Sequence, residues 1–149
     1  VPHIAFEGPT LPAEGLEVFT SAYPLLVGLD TSEEAMVYST VKIMHRHYEE
    51  YKDSAPGAMG WTFARQKLEQ AFLPFHEGAI RYFKESGEWT PAAAAQNAKN
   101  LHRQAILKQA WDAFVPVAPD DYRDFEKAWL VARLTALEAA GLVTLADSL

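Results

Sequence analysis

Helix punctuation is confined to one part of this sequence, and that constrains the fold more than anything else in it. From Thr31 onward, starts and stops recur at helical distances. Before Thr31, Pro2, Gly8, Pro9, Pro12, Gly15 and Pro24 break any helix. Inside that first stretch, Leu16–Ser21 and Leu25–Leu29 are rich in Val, Leu and Phe and read as one or two extended segments. An isolated strand cannot satisfy its own backbone groups. The remaining sequence offers few partners, so a sheet would have to come from elsewhere. The predicted fold class is mostly α with one or two strands.

The helices follow from local chemistry. Thr31-Ser32-Glu33-Glu34 reads as a capping box, with Thr31 as N-cap and Glu34 at N3. The helix after it should run to about Lys52, with Val37, Val41, Met44, Tyr48 and Tyr51 as its buried stripe. Ser54 to Gly60 is a loop. Trp61 to Phe72 reads as a helix with Ala64, Leu68 and Phe72 on one side. Thr90-Pro91 is an N-cap followed by proline at N1. The long helix it starts should reach Phe114, with Ala94, Ala98, Leu101, Ala105 and Trp111 on its apolar side. Asp120-Asp121 opens a last helix that stops at Gly141, with Phe125, Trp129, Ala132, Ala136 and Ala140 facing inward.

Between these lies Leu73-Pro74-Phe75-His76-Glu77-Gly78-Ala79-Ile80-Arg81-Tyr82-Phe83-Lys84-Glu85-Ser86-Gly87-Glu88. Pro74 fixes the entry and Phe75 is suited to plug a core. His76 reads as a capping histidine, and Glu77 puts negative charge at a helix N-terminus. Ala79, Ile80 and Phe83 share a side, Arg81 and Glu85 are spaced to pair, and Gly87 is a left-handed stop.

Composition removes several functions. The 149 residues carry a net charge of −7 and no basic run, so no nucleic acid is expected as a partner. There is no cysteine, which excludes disulfides, thiol catalysis and thiolate metal sites. No apolar run approaches the roughly 20 residues of a membrane span. Gly-rich phosphate loops and a Gly-x-Ser-x-Gly elbow are absent. His45 and His47 point to different sides of a helix, and His47 with Glu50 is the nearest thing to a metal pair. His102 sits among polar residues. Solvated or capping histidines account for all of them, and a small helical metalloenzyme would rest on these alone. Glu33/Glu34, Glu49/Glu50 and Asp120/Asp121 read as caps and solvated charge. The chain is therefore expected to be no enzyme, with no catalytic residue, metal or cofactor.

The stretch from Leu73 to Gly87 resembles a late signature of the TAXI-type solute-binding proteins of TRAP transporters, in His76, Gly78, Ala79, Arg81, Tyr82, Glu85 and Gly87. Where that family usually has proline after the histidine, this chain has Glu77. Gly8 and Glu17-Val18-Phe19-Thr20-Ser21-Ala22-Tyr23-Pro24 resemble the segment that crosses the family's hinge. Asp30 to Tyr51, with Val37-Tyr38, is similar to its next helix. Trp89 to Gly141 resembles a C-terminal extension of one subgroup, in Arg103-Gln104, Trp111, Trp129, Arg133 and Ala139-Ala140-Gly141.

The resemblance implies the C-terminal part of a two-lobed α/β periplasmic-binding-protein-like fold. Residues 1–30 would be the hinge-crossing segment, 31–89 the helical part of one lobe, and 90–149 a helical extension. It implies a periplasmic receptor, its signal peptide removed, for a small carboxylate or amino acid delivered to TRAP membrane permease subunits. The chain opens Val1-Pro2 and is shorter than such receptors, so the N-terminal half of the same receptor is an expected partner. Phe19, Thr20, Ser21 and Tyr23, in the Pro-rich region between the lobes, are the expected ligand contacts. His76, Arg81 and Tyr82 should be structural. The alternative is a helical interaction subunit derived from such a receptor and packed on a larger protein.

Overall fold

A computed structural model describes residues 25–144. Its order is α1 (Glu34–Arg46), α2 (Tyr48–Tyr51), three 3-10 turns, α3 (Glu77–Glu85), α4 (Pro91–Phe114), a 3-10 turn at Val115–Val117 and α5 (Tyr122–Ala139). The mostly helical class is as expected. Among the described residues there is no strand, and Leu25–Leu29 is irregular. The other expected extended segment, Leu16–Ser21, lies outside them.

α3 is the centre of the fold. His76 is its N-cap, with Nδ1 accepting from the Gly78 N–H at 3.1 Å and Nε2 meeting the Ser32 carbonyl at 3.0 Å. Accepting at one nitrogen and donating from the other fixes the neutral Nε2–H tautomer. The other end closes as a Schellman motif. Glu88 N–H donates to Phe83 O at 2.9 Å and Gly87 N–H to Lys84 O at 3.3 Å, with Gly87 at φ 81°. Between the caps, Ala79, Ile80, Tyr82 and Phe83 are buried. Leu68, Ala79, Tyr82, Phe83 and Ala93 form the core, with Val37, Val41, Phe63, Phe75 and Trp89 packed against it.

α1 crosses α3 at Gly78. A β-carbon there would stand 2.4 Å from the Glu34 carbonyl oxygen and 2.8 Å from the Tyr38 nitrogen. Both are backbone atoms that no rotamer change can move, so only glycine permits this approach.

α1 starts later than the capping box predicts. Ser32 N–H donates to Leu29 O at 3.1 Å, and His76 engages the Ser32 carbonyl. Thr31 and Ser32 are thus held in a turn, and Glu33 becomes the N-cap without a side-chain bond. The expected single helix to Lys52 breaks at His47 (φ −102°, ψ 17°) before α2 resumes. The expected helix from Trp61 to Phe72 is instead the 3-10 turns Ala58–Trp61, Phe63–Arg65 and Leu68–Gln70. Phe63 and Leu68 both reach the core. Five residues apart, they would point about 140° apart on an α-helix. Breaking the helix lets both turn inward, while Phe72 is left exposed.

α4 is capped as predicted, with Thr90 accepting from Ala93 N–H at 3.1 Å and Pro91 in the first turn. Its buried side is not the predicted one. Ala93, Asn97, Asn100 and Phe114 are buried, whereas Ala94, Ala98, Leu101 and Ala105 face solvent. The buried amides hold the segment before α3. Asn100 Nδ2 donates to Ala71 O at 2.8 Å and Leu73 O at 3.0 Å. Gln96 Nε2 donates to Ala71 O at 2.9 Å, and Asn97 Oδ1 accepts from Phe75 N–H at 2.8 Å. That irregular segment has no ladder partner, so its polar backbone selects the polar side of α4.

α5 begins at Asp121, whose carboxylate accepts from Arg123 and Asp124 N–H at 3.0 and 3.1 Å. It ends in a second Schellman motif at Gly141, φ 66°. It packs on α4 through Trp111, Phe114, Phe125 and Trp129. The Trp111 and Trp129 rings meet edge to face at 4.9 Å, and Phe114 and Phe125 at 5.1 Å. Leu137 is fully buried.

Two substitutions test these contacts by urea unfolding. Gly78→Ala should cost about 3 kcal/mol, the upper end of overpacking, while Gly60→Ala, with no atom near its β-position, should be within about 0.5 kcal/mol of the parent. Asn100→Ala should cost about 1 kcal/mol, because the buried amide's bonds to the Ala71 and Leu73 carbonyls are lost. Equal effects from the two glycine changes would refute the close crossing.

Candidate functional site

The four expected ligand contacts, Phe19, Thr20, Ser21 and Tyr23, lie outside the described residues. The structure instead shows the surface that immediately follows them in the chain, the α1–α3 pair.

Along that pair runs a polar network. Lys42 Nζ donates to Tyr38 Oη at 2.6 Å and to Glu85 Oε1 at 2.9 Å, and Tyr38 donates to the other oxygen of Glu85. Arg46 approaches the same carboxylate at 3.9 Å. The Lys42 hydrogen bond, with that of Tyr38, holds the Glu85 carboxyl below the ordinary carboxylate range. The bond to Glu85, with that to Tyr38, raises the Lys42 ammonium. Each partner is thus held in its charged form. Such a lysine is a poor nucleophile and such a carboxylate a poor base. The network fastens α1 to α3.

Glu85 therefore does not take the predicted partner Arg81. Four residues apart on α3, the two diverge because α1 offers each a better one. Arg81 Nη1 lies 3.4 Å from Glu34 Oε1, and its guanidinium stacks 4.4 Å over the Tyr38 ring. Beside it, Glu34, Glu77, Ile80, Arg81 and Lys84 line an open groove of about 320 Å³. Its charges are exposed and of both signs.

The histidines do not converge. His45 stacks on Phe63 with ring centroids 4.0 Å apart, and its Nδ1 meets the Tyr82 hydroxyl at 2.8 Å. His47 pairs with Glu50 at 2.7 Å on the surface, and His76 is the cap. Among the described residues no three potential metal ligands gather. His76, Arg81 and Tyr82 thus all have structural partners. The Tyr38–Lys42–Glu85 network escapes sequence reading. Its only local sign is the i, i+4 spacing of Tyr38 and Lys42.

The α1–α3 unit has a counterpart among known families. This is a class of solute-binding type, related to the substrate-binding proteins of TRAP and ABC transporters. The NMT1-like family model matches residues 13–87, half of the chain, and the chain belongs to that family. The match ends at Gly87, the glycine that closes α3, so α4 and α5 lie beyond it. No curated protein and no solved structure matches the chain.

The network sets a pH dependence. Glu85 is shifted down on folding, so its stabilisation is present above the unfolded glutamate value of about 4.3 and is lost as pH falls through the lower folded value. Lys42 is shifted up, so its share is present below about 10.4 and is lost as pH rises through the higher folded value. Thermal melts of Glu85→Gln should show a flatter dependence of Tm on acid pH than the parent. Half-molar salt should narrow the difference, since both groups are partly solvated. Parallel acid limbs would contradict this assignment.

Proposed function

We propose that this chain belongs to a periplasmic receptor of the TAXI type, which captures a small organic acid or amino acid and delivers it to a TRAP permease. It has no catalytic role. One observation carries the reading. The family match begins at residue 13 and so takes in Phe19–Tyr23 together with the α1–α3 unit. In this reading the hinge segment enters a cleft between two lobes. Phe19 and Tyr23 supply rigid apolar faces there, and Thr20, Ser21 and the Tyr23 hydroxyl donate to a ligand carboxylate. Closure removes water from those bonds.

Ligand binding to the folded state alone stabilises it by about 2.7 kcal/mol at a hundredfold excess over Kd. A panel of organic acids and amino acids, screened by thermal shift on the native polypeptide, should therefore contain members that raise Tm by several degrees. A flat response across the panel would sink the reading. Calorimetry on two variants places the contacts. Tyr23→Ala should weaken binding more than it lowers stability. His76→Ala should lower stability by about 1–2 kcal/mol through loss of a cap and leave affinity nearly unchanged. The reverse ordering would remove the hinge segment as the contact region.

A second reading, a helical subunit packed on a larger protein, draws on the exposed apolar side chains Val117, Tyr122 and Val131 of the α4–α5 hairpin. Native mass spectrometry separates the two, because a stable complex with an unrelated protein is expected only of the subunit.

A further inference from the structure

His76 joins α3 to the turn before α1 through both ring nitrogens, and a proton affects the two bonds differently. Nε2 donates to the Ser32 carbonyl at 3.0 Å, which a neutral or a cationic ring can do. Nδ1 accepts from the Gly78 N–H at 3.1 Å, which only a neutral ring can do. A proton on Nδ1 sets N–H against N–H. The ring must then turn, and turning withdraws Nε2 from the Ser32 carbonyl. Water is a poor substitute for the lost acceptor, because Gly78 is buried against the Glu34 carbonyl and the Tyr38 nitrogen of α1. Its N–H would be left unpaired at the closest point of the α1–α3 crossing.

The charged groups on the surrounding elements do not offset this. Asp30, Glu33 and Glu34 lead into α1 or begin it, and Glu77 and Arg81 share α3 with the ring. All five are exposed, so water and salt screen them. Arg81 already engages Glu34 at 3.4 Å. Tyr38 turns its hydroxyl to Lys42 and Glu85. α4 carries no charged residue from Pro91 to Asn97. The N-terminus of α3, where the ring sits, disfavours a cation. The other histidine on this crossing is placed the opposite way. His45 lies in the last turn of α1, where a helix favours a cation. Its Nδ1 meets the Tyr82 hydroxyl at 2.8 Å, and a hydroxyl can donate or accept, so a proton reverses that bond without breaking it.

We infer that His76 is an acid-sensitive latch. Between about pH 8 and pH 5, where histidines change charge, a proton on Nδ1 uncaps α3, releases the Ser32 carbonyl and loosens the α1–α3 crossing where α1 begins. The latch is closed with the ring neutral and opens as pH falls. Glu85 acts in a lower range, below the unfolded glutamate value of about 4.3, so the two responses are separate.

Two measurements on the full chain test the latch. In thermal melts at pH 8 and pH 5, the parent should lose about 3 °C more of its Tm than His76→Asn, whose amide oxygen can cap α3 at either pH. His45→Gln should keep the parent's difference between the two pH values. In nitrogen-15 NMR of the parent, the His76 ring nitrogens and the Gly78 amide should titrate together, with one midpoint. This second measurement decides the matter even where His76→Asn fails to fold. A Gly78 amide that stays fixed while the His76 ring takes up its proton would overturn the inference. So would equal losses of Tm in the parent and His76→Asn, or a pH difference that His45→Gln removes. Neither measurement uses a ligand, so the outcome is independent of the thermal-shift screen that tests the receptor.

Discussion

The backbone contact at Gly78 sets the register on which the other α1–α3 interactions depend. The first turn of α3 rests on α1 with no side chain between them. Only at that separation does His76 reach the Ser32 carbonyl while capping its own helix. The same register brings Lys42 and Tyr38 to Glu85, and His45 to the Tyr82 hydroxyl. A β-carbon at position 78 would push against two main-chain atoms of α1, so its effect would spread along the whole crossing. Single polar pairs on this surface are weak in water. The crossing holds several of them at fixed distance over a small apolar core, and that arrangement makes them specific.

A second constraint is polar and buried. The segment from Ala71 to Phe75 carries main-chain groups into the structure without helix or sheet to satisfy them. Gln96, Asn97 and Asn100 supply the missing donors and acceptor from one side of α4. Immediately after this clasp, Phe75 turns into the core and meets Phe83 and Trp89 edge to face. The amides thus do for an irregular segment what a neighbouring strand does for a sheet edge. They also fix where the chain enters α3.

Local signals were legible where a single residue type satisfies a single backbone need. His76, Thr90 and Asp121 cap as their positions imply, and Gly87 and Gly141 take the left-handed stop. Signals that depend on what lies opposite were not. Alanines at 94, 98 and 105 look like a buried stripe, but alanine is also the best helix former on a wet surface. Only the position of the Ala71–Phe75 segment explains why asparagines are buried instead. Phe63 and Leu68 lie at a spacing that no regular helix brings to one side, so the core overrode local preference there. Gly78 stood out only through family resemblance, because nothing in its neighbours says that another helix passes within contact. The expected ligand contacts precede the described residues. What was legible among the described residues is the capped α3, with His76, Arg81 and Tyr82 all occupied structurally.

The family match stops at Gly87, but the physical unit does not. Trp89 N–H joins Glu88 N–H on the Phe83 carbonyl, and the Trp89 ring lies nearly parallel to Phe83, 7° from coplanar at 6.4 Å. One turn later Ala93, fully buried, enters the same core as Leu68 and Phe83. The first turn of α4 is therefore built into the core of the family unit, and the amide clasp adds a second attachment on the same helix. A helix held at two points along its length cannot swing independently of what it is held to. Any displacement of α3 carries α4 with it, and the aromatic packing of Trp111, Phe114, Phe125 and Trp129 carries α5 in turn. α3, α4 and α5 are thereby tied into one mechanical unit.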